Sequence, residues 1–448
     1  MSKRNFILLI IILILTVIAI FGFLYFRPGT MVPVDNETGI NFLSQFNPFG
    51  AKLTPASVKP PINISNIPLP ATETPAVKLT KVSTMPIAGF TVFAKERLKE
   101  MEIPVATPTT TPPAANIKKQ TVKPTRPPTE FKPALRYVDK ATGNIYQTFA
   151  DKIEERKFSS TLIPKVYDSY FGNHGESVIM RYLKSDNQTI ETFIGTLPKE
   201  LLGGDTTENN EIKGSFLPNN VKDISISPDT SKVFYLFDSG NDMIGIILNF
   251  LNNKKTQILD SPFTEWLSFW PNSNTITLST KPSAGIPGHM YTMDSAGKNL
   301  SKIFGNINGL TTLESPNGKL ILYGGNNASN NLSLGVYHLD TRNSDVLGIK
   351  TLPEKCVWAR GSDTVYCATP KSVDVGLYPD TWYQGEVSFS DQLWKIDVKT
   401  GNGTMLADPV AIPGGEEVDG VKLSLDESEN YLFFINKKDS FLWKLELK

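Results

Sequence analysis

The stretch ISISPDTSKVFYLF, residues 224–237, joins two short β-type runs through the turn Ser227-Pro228-Asp229. Proline presets φ at the second position of a turn and aspartate tolerates the next position, so this triplet predicts a tight connection between two strands. The arrangement recurs at Trp270-Pro271-Asn272 and Ser315-Pro316-Asn317, which puts the prolines 43 and 45 residues apart. A self-similar period of roughly 40–45 residues with four strands per unit is typical of β-propeller blades.

The period extends in both directions and gives six units between residue 135 and the last residue. Their first hairpin turns fall near His174-Gly175, Pro228, Pro271, Pro316, Gly361-Ser362 and Asp426-Glu427. A seventh unit is predicted upstream, with residues 86–93 as its first strand. The last unit has three strands, so we expect an N-terminal strand to complete it and to remove its exposed edge. The sequence predicts an all-β propeller with seven blades, six being the alternative.

The N-terminal region carries a predicted membrane anchor. Residues 6–26 are an uncharged apolar run that is long enough to cross a bilayer as a helix. Lys3 and Arg4 precede it, and this basic excess predicts a cytoplasmic tail at residues 1–5 and an exported remainder. A cleaved signal peptide is the alternative, but its apolar region is shorter and ends at a small-residue site. We predict a single-pass membrane protein with an extracytoplasmic propeller.

Proline-rich sequence separates the predicted anchor from the propeller. Residues 27–85 are predicted to be an extended Pro-rich linker, and residues 94–134 a Pro/Thr-rich spacer or a loop inserted in the first blade. Few aromatic residues and no periodicity mean that such segments bury too little apolar surface to form a core. The propeller itself is assigned to residues 135–448.

Charge and cysteine content narrow the class of protein. The formal net charge is zero, which argues against nucleic acid as a partner. The two cysteines, Cys356 and Cys367, flank Gly361-Ser362, which can form a two-residue hairpin turn with glycine first. That turn sets the cysteines opposite each other on adjacent strands, and export favours a disulfide between them. Two buried thiols are the alternative, and a zinc site is not expected without a nearby histidine.

Several repeats resemble those of TolB-like, or WD40-like PD40, β-propellers. The segments that carry the resemblance are ISISPDTSKVFYLF (224–237), MYTMDSAGKNLSKIF (290–304) and LESPNGKLILYGG (313–325). In that family a Ser-Pro-Asp-Gly turn joins two strands, whereas Thr230 replaces the glycine here. TolB-like domains often serve as exported interaction modules, so the resemblance implies binding rather than catalysis.

No motif for catalysis, metal binding or cofactor binding is found in the sequence. It contains no G-x-S-x-G, no calcium loop and no P-loop. His174, His289 and His338 fall in different units, where a lone histidine is more often structural than catalytic. We predict no catalytic residue, no metal and no cofactor.

The interval before the last turn exceeds the period because of an insertion at residues 371–391. The insertion joins the second and third strands of a blade, on a face where propellers commonly bind ligands. It contains the predicted binding residues Tyr378, Asp380, Trp382, Tyr383, Gln384 and Phe389. Large amphipathic aromatic residues beside polar groups are typical binding anchors. The alternative is that these residues fold back and plug the channel.

Together these features predict a membrane-anchored, extracytoplasmic, non-enzymatic module that binds an envelope protein or glycan. The alternative is a propeller glycoside hydrolase or lyase, which needs paired carboxylates in the central channel. A purely structural domain is a third possibility.

Overall fold

Seven antiparallel four-stranded sheets are the blades of a single propeller. The structure is a computed structural model that describes residues 78–100, 127–204, 206, 210–327 and 331–448. The predicted anchor at residues 6–26 lies outside this range, as does most of the predicted linker. Among the described residues, no helix is both long enough and apolar enough to span a membrane.

The strands of each blade are given from the channel outward. Blade 1 consists of β2 (Ile87–Leu98), β3 (Thr129–Asp139), β4 (Ile145–Phe149) and β5 (Arg156–Lys157), and blade 2 consists of β6 (Val166–Gly172), β7 (Ser177–Leu183), β8 (Ile190–Thr196) and β9 (Lys213–Phe216). Blade 3 consists of β10 (Val221–Ile226), β11 (Lys232–Asp238), β12 (Met243–Asn249) and β13 (Lys255–Ser261), and blade 4 consists of β14 (Trp266–Phe269), β15 (Thr275–Thr280), β16 (Pro287–Asp294) and β17 (Ser301–Asn308).

Blade 5 consists of β18 (Thr311–Glu314), β19 (Leu320–Asn326), β20 (Leu332–His338) and β21 (Asn343–Leu347). Blade 6 consists of β22 (Cys356–Trp358), β23 (Thr364–Pro370), β24 (Asp391–Asp397) and β25 (Gly403–Ala407). Blade 7 consists of β26 (Gly420–Leu425), β27 (Tyr431–Asn436), β28 (Leu442–Glu446) and β1 (Leu79–Lys81). Within the described residues, the connections contain 3-10 turns at Asn173–Gly175, Pro353–Lys355 and Pro409–Ala411, and one short helix, α1 (Asp380–Tyr383).

The core lies between blades, and each second strand is buried on both of its faces. In β11, Val233 and Tyr235 pack in a cluster with Ile179 of blade 2. Phe234, whose side chain points to the opposite face of the strand, packs instead with Trp266 and other residues of blade 4. Because successive side chains of a strand point to opposite faces, a continuous apolar run such as VFYLF can join three blades.

The first strand of the described chain closes the ring. β1 pairs antiparallel with β28, with Leu79 opposite Leu445 and Thr80 opposite Lys444. Beyond the strand, the Val82 N–H donates to the carbonyl of Leu442 at 2.7 Å. The seven-bladed prediction is confirmed, and the closing strand supplies the missing fourth strand of blade 7. Residues 79–81 are therefore strand, although they fall in the range predicted to be linker.

The first blade contains the predicted insertion between its first two strands. β2 and β3 remain paired as far as Leu98 opposite Thr129, so residues 94–98 and 129–134 are strand rather than spacer. Ion pairs accompany this extension, because Arg97 contacts Glu130 at 2.8 Å and Asp151 at 2.7 Å. The extension carries few of the alternating apolar residues that identify a strand, which is why the sequence prediction ended β2 too early and began β3 too late. Residues 101–126 lie outside the described residues.

The Ser-Pro-Asp turn belongs to a four-residue connection, residues 228–231 in blade 3, whose third residue has a left-handed backbone. In blade 3 the Ser227 N–H donates to the carbonyl of Lys232 at 2.9 Å, and Thr230 has a φ of 56°. In blade 5 the same place is held by Gly318, with a φ of 69°. This conformation costs a residue with a Cβ about 1–2 kcal/mol. Threonine at this place therefore calls for a compensating contact.

Side chains at this left-handed position connect neighbouring blades. The Thr230 hydroxyl accepts a hydrogen bond from the His174 N–H of blade 2 at 2.8 Å. In blades 6 and 7 the equivalent residues, Ser362 and Glu429, accept backbone N–H groups from the preceding blade's turn at 3.2 and 2.9 Å. Each substitution for glycine thus adds a bond between two turns.

The turn between the cysteines follows this pattern and differs from the predicted two-residue turn. It comprises residues 360–363, between the hydrogen-bonded Ala359 and Thr364, and Ser362 rather than Gly361 has a positive φ, at 60°. Both turns have the same centre, so the predicted register still holds. Cys356 lies opposite Cys367, and the two form a disulfide.

Replacing Thr80 by proline tests the closure. The substitution removes a backbone donor from the closing strand, and we expect the free energy of unfolding to fall by about 1 kcal/mol or more. Thr80→Ala is the matched control, because the side chain is exposed and the N–H is kept. Chemical denaturation measures both variants, and equal stability would show that β1 contributes little to the ring.

Candidate functional site

The insertion of blade 6 lies across one face of the ring. We call this the top face; first strands begin there, and the connections between second and third strands lie there. Residues 371–390, here called the cap, reach three other blades. Asp380 accepts the Ala284 N–H of blade 4 at 2.6 Å, and the Asn326 side chain of blade 5 donates to the Tyr378 carbonyl. Lys437 of blade 7 donates to the Trp382 carbonyl at 2.6 Å.

The six predicted binding residues do not share one surface. Tyr378, Trp382 and Phe389 are buried in an apolar cluster beneath the cap. Tyr383 is 41% exposed, and Gln384 is exposed beside it. Asp380 is half-buried against blade 4. Of these six residues only Tyr383 and Gln384 are therefore exposed to a partner, while the other aromatic residues hold the cap on the ring.

A buried group of three charged side chains lies beneath these aromatic residues. Lys355 is fully buried, and its Nζ contacts Asp391 at 2.7 Å and also contacts Asp419. The Trp382 ring nitrogen donates to Asp419 Oδ2 at 3.0 Å, and the Phe389 N–H donates to the same oxygen at 3.1 Å. We call Lys355, Asp391 and Asp419 the ionic triad. It connects blades 6 and 7 to the cap.

The two carboxylates of the triad differ in their pKa values. Burial raises the pKa of Asp391 to about 6, in spite of its contact with Lys355. Burial also disfavours the charged form of Asp419, but Lys355 and several hydrogen bonds outweigh it and lower the pKa of that carboxyl. Asp419 therefore stays ionised to a lower pH than Asp391 does.

A cavity of about 290 Å³ opens where blades 7, 1 and 2 meet the channel, beside the cap. Three lysines line it, Lys140, Lys422 and Lys437, together with a single carboxylate, Asp168. Tyr167, which is 40% exposed, completes the polar rim. We call this the lysine cavity. Its remaining lining residues are Ile87, Ala88, Val421, Ile435 and Ser440.

β-Bulges direct several of these side chains into the cavity. The first strands of four consecutive blades shift register near their top ends, between Val421 and Ser424, Ile87 and Gly89, Val166 and Asp168, and Val221 and Asp223. The unpaired residues include three that line the cavity: Lys422, Ala88 and Tyr167. Lys422 also has a positive φ of 52°. Bulges are over-represented beside functional sites because they change the direction of a side chain.

The lysines of the cavity are only partly neutralised. Lys422 Nζ contacts Asp168 at 2.5 Å. Lys140 donates to the hydroxyl of Ser440 at 3.0 Å, and Lys437 donates to a backbone carbonyl. Asp168 is shared with Arg181, whose Nη1 lies 3.0 Å away. The cavity therefore carries an excess of positive charge.

Two carboxylates on adjacent first strands, Asp168 and Asp223, lie in different electrostatic surroundings. Burial disfavours ionised Asp168, but Lys422 and Arg181 outweigh it and lower its pKa. Burial raises the pKa of Asp223 to about 6, although Ser268 donates to it. Among the described residues, no group of three or more His, Cys, Asp or Glu side chains is placed to hold a metal ion.

Sequence reasoning located the cap but missed both the triad and the lysine cavity. Lys355 is 36 residues from Asp391 and 64 from Asp419, and no local spacing relates them. Lys422 gave a faint signal, because it interrupts the apolar start of a predicted strand in GVKLSL.

Replacing Lys355 by methionine tests the role of the triad. It leaves two buried carboxylates without their cation, and we expect the free energy of unfolding to fall by about 3–5 kcal/mol. Adding Asp391→Asn and Asp419→Asn to the same chain removes the repulsion and restores part of the loss. Urea denaturation measures all three chains; a single variant as stable as the parent would contradict the assignment.

Asp223 provides a prediction for the pH dependence of stability. Its folded pKa of about 6 exceeds the unfolded value of about 3.9, so the folded state holds a proton that the unfolded state has lost. Its contribution to stability is complete below about pH 4 and is lost as the pH rises to about 6. Asp223→Asn should therefore be more stable than the parent by about 1–2 kcal/mol above pH 6, and the difference should vanish below pH 4. Asp260→Asn, on an exposed residue, is the control.

No protein-family model matches this chain, and no curated protein matches it. Solved structures with a similar fold include an oligogalacturonate lyase from Vibrio parahaemolyticus, with 7% identity, a TM-score of 0.47, and coverage of 71% of this chain and 86% of that one. TolB from Acinetobacter baumannii has 8% identity, a TM-score of 0.38, and coverage of 69% and 61%. The β-propeller domain of the Trilobed protease from Pyrococcus furiosus has 10% identity, a TM-score of 0.44, and coverage of 70% and 90%. These similarities are to propellers, and they concern the fold alone.

Proposed function

We propose that this protein is a non-enzymatic binding module of the cell envelope, anchored in the membrane through residues 6–26 with its propeller outside the cytoplasm. Its top face binds an envelope protein or glycan. The observation that carries the proposal is the lysine cavity beside the cap, whose lining contains three lysines and one carboxylate. A repeat that only built a ring would need neither the cap nor the bulges.

The composition of the cap supports a binding role. Tyr383 and Gln384 stay exposed at its edge, although the rest of the cap is held firmly by buried aromatic residues. Exposed residues on a well-supported segment lose little conformational entropy when a partner binds. Tyrosine is also among the residues enriched at binding hot spots.

The disulfide supports the extracytoplasmic placement. Disulfides persist in oxidising compartments and are rare in the cytoplasm. The pair Cys356–Cys367 joins two strands of blade 6, which is also the blade that carries the cap. The balanced net charge argues against nucleic acid as a partner.

An enzymatic alternative, a glycoside hydrolase or lyase, is favoured by one observation. Asp168 and Asp223 lie on adjacent first strands, and their surroundings move their pKa values apart. Such pairs can divide the roles of acid and base between two carboxylates. Asp168 is held by two cations, however, which is equally typical of a structural ion pair.

Binding of fractionated envelope material to the full-length protein in detergent micelles tests the proposal. The chains compared are the parent, Tyr383→Ala with Gln384→Ala, Lys422→Ser with Lys437→Ser, and Lys254→Ser as a control on an exposed residue. We expect saturable binding of the protein or the glycan fraction, weakened about tenfold or more in at least one top-face variant, a loss of about 1.4 kcal/mol, and unchanged in the control.

Two outcomes would contradict the proposal. One is equal binding of the envelope material by all four chains, or no binding by any of them. The other is release of soluble products from the glycan fraction by the parent but not by Asp223→Asn, which would establish the enzymatic alternative.

A further inference from the structure

We propose that the lysine cavity binds an oxyanion carried on a compact ring, as found in a negatively charged residue of an envelope glycan. This inference rests on the proposed function and names its ligand class.

The charge of the cavity selects an anion. Its lining contains Lys140, Lys422 and Lys437 but only one carboxylate, Asp168. That carboxylate is already shared by Lys422 and Arg181, at 2.5 and 3.0 Å. A bound anion would therefore meet cations that no protein carboxylate in the lining neutralises.

The lysines also retain donors for a ligand. An ammonium group has three N–H donors. Lys140 donates to Ser440, and Lys437 donates to a backbone carbonyl of the cap, and both acceptors are uncharged. Lysine acts as a point charge and does not impose the fork geometry of arginine. The predicted chemistry is therefore an oxyanion, either carboxylate or phosphate, and the lysines do not choose between the two.

The shape of the cavity limits the rest of the ligand. A volume of about 290 Å³ is at the lower end of the range of about 300–1,000 Å³ for ligand pockets. Ile87, Val421 and Ile435 give it an apolar floor, and the exposed ring of Tyr167 stands at its rim. An apolar floor beneath charged donors suits one ring with an apolar face and an acidic substituent, such as an acidic sugar.

The backbone keeps this arrangement at a cost. Lys422 has a φ of 52°, a left-handed conformation that is unfavourable for a residue with a side chain. Its bulge turns the side chain into the cavity, where it contacts Asp168. Strained residues of this kind cluster at binding sites. An acidic peptide could satisfy the same charges, but the small volume of the cavity favours a single ring over an extended chain.

Binding of defined polymers to the full-length protein in detergent micelles tests this inference. The probes are a polyuronate, a polyol-phosphate polymer, a neutral glucan and an oligoglutamate peptide. The variants are Lys140→Ser, Lys140→Ser with Lys422→Ser, and Tyr167→Leu, with Lys254→Ser as the control that removes one charge elsewhere. Thermal unfolding of each variant checks that it is folded, and Lys140→Ser alone breaks only the contact with Ser440.

We expect the polyuronate or the polyol-phosphate to bind saturably, and the stronger of the two identifies the oxyanion. Binding should weaken about tenfold or more in the double lysine variant, fall in Tyr167→Leu, weaken with added salt, and persist in Lys254→Ser. Equal binding of the neutral glucan, preference for oligoglutamate, or insensitivity to the lysine variants would overturn the inference. If envelope material still binds through Tyr383 and Gln384 while the charged glycans do not bind, the proposed function stands and this inference fails.

Discussion

The pairing of β1 with β28 closes the ring, and the lysine cavity lies beside that closure. Blade 7 contains strands from both ends of the described chain, and it meets blade 1 at the cavity. Lys140 of blade 1 donates to Ser440 of blade 7 at 3.0 Å, and the Ile87 N–H donates to the Ser440 carbonyl at 2.8 Å. Lys422 of blade 7 reaches the Ala88 carbonyl at 3.2 Å. The cavity walls are therefore positioned by contacts that exist only when the ring is closed.

The ionic triad is a second constraint, with a different physical basis. Removing three charges from water is expensive, and the mutual attraction of a buried pair often fails to exceed that cost. What the triad contributes is the position of the cap, because Asp419 accepts hydrogen bonds from the Trp382 ring N–H, the Phe389 N–H and the Ser388 hydroxyl. These bonds fix the cap in one orientation. Apolar packing alone would be far less selective, because it is not directional.

The features that recur in the sequence were the ones that could be predicted from it. Turns of the Ser-Pro-Asp type depend on local backbone preferences, so they revealed the blades, and the symmetry of one turn revealed the register of Cys356 and Cys367. Ion pairs between distant residues leave no such pattern. The extension of β2 to Leu98 escaped prediction for this reason, since Arg97 and Glu130 mark it rather than apolar alternation. The bulge at Lys422 is a local change of register, and no residue pattern in the sequence predicts it.

Lys437 physically links the two parts of the top face. Its Nζ donates to the backbone carbonyl of Trp382 in the cap and lies 4.6 Å from the centre of the Trp382 ring. Its side chain also lines the lysine cavity. Burial lowers its pKa, and the neighbouring Lys355 adds to this effect, although Asp419 opposes it. An anion in the cavity would contact the same ammonium group that donates to the cap, and would help to hold that group where it reaches the Trp382 carbonyl. Because linkage is reciprocal, a cap that is held in place should in turn favour the anion.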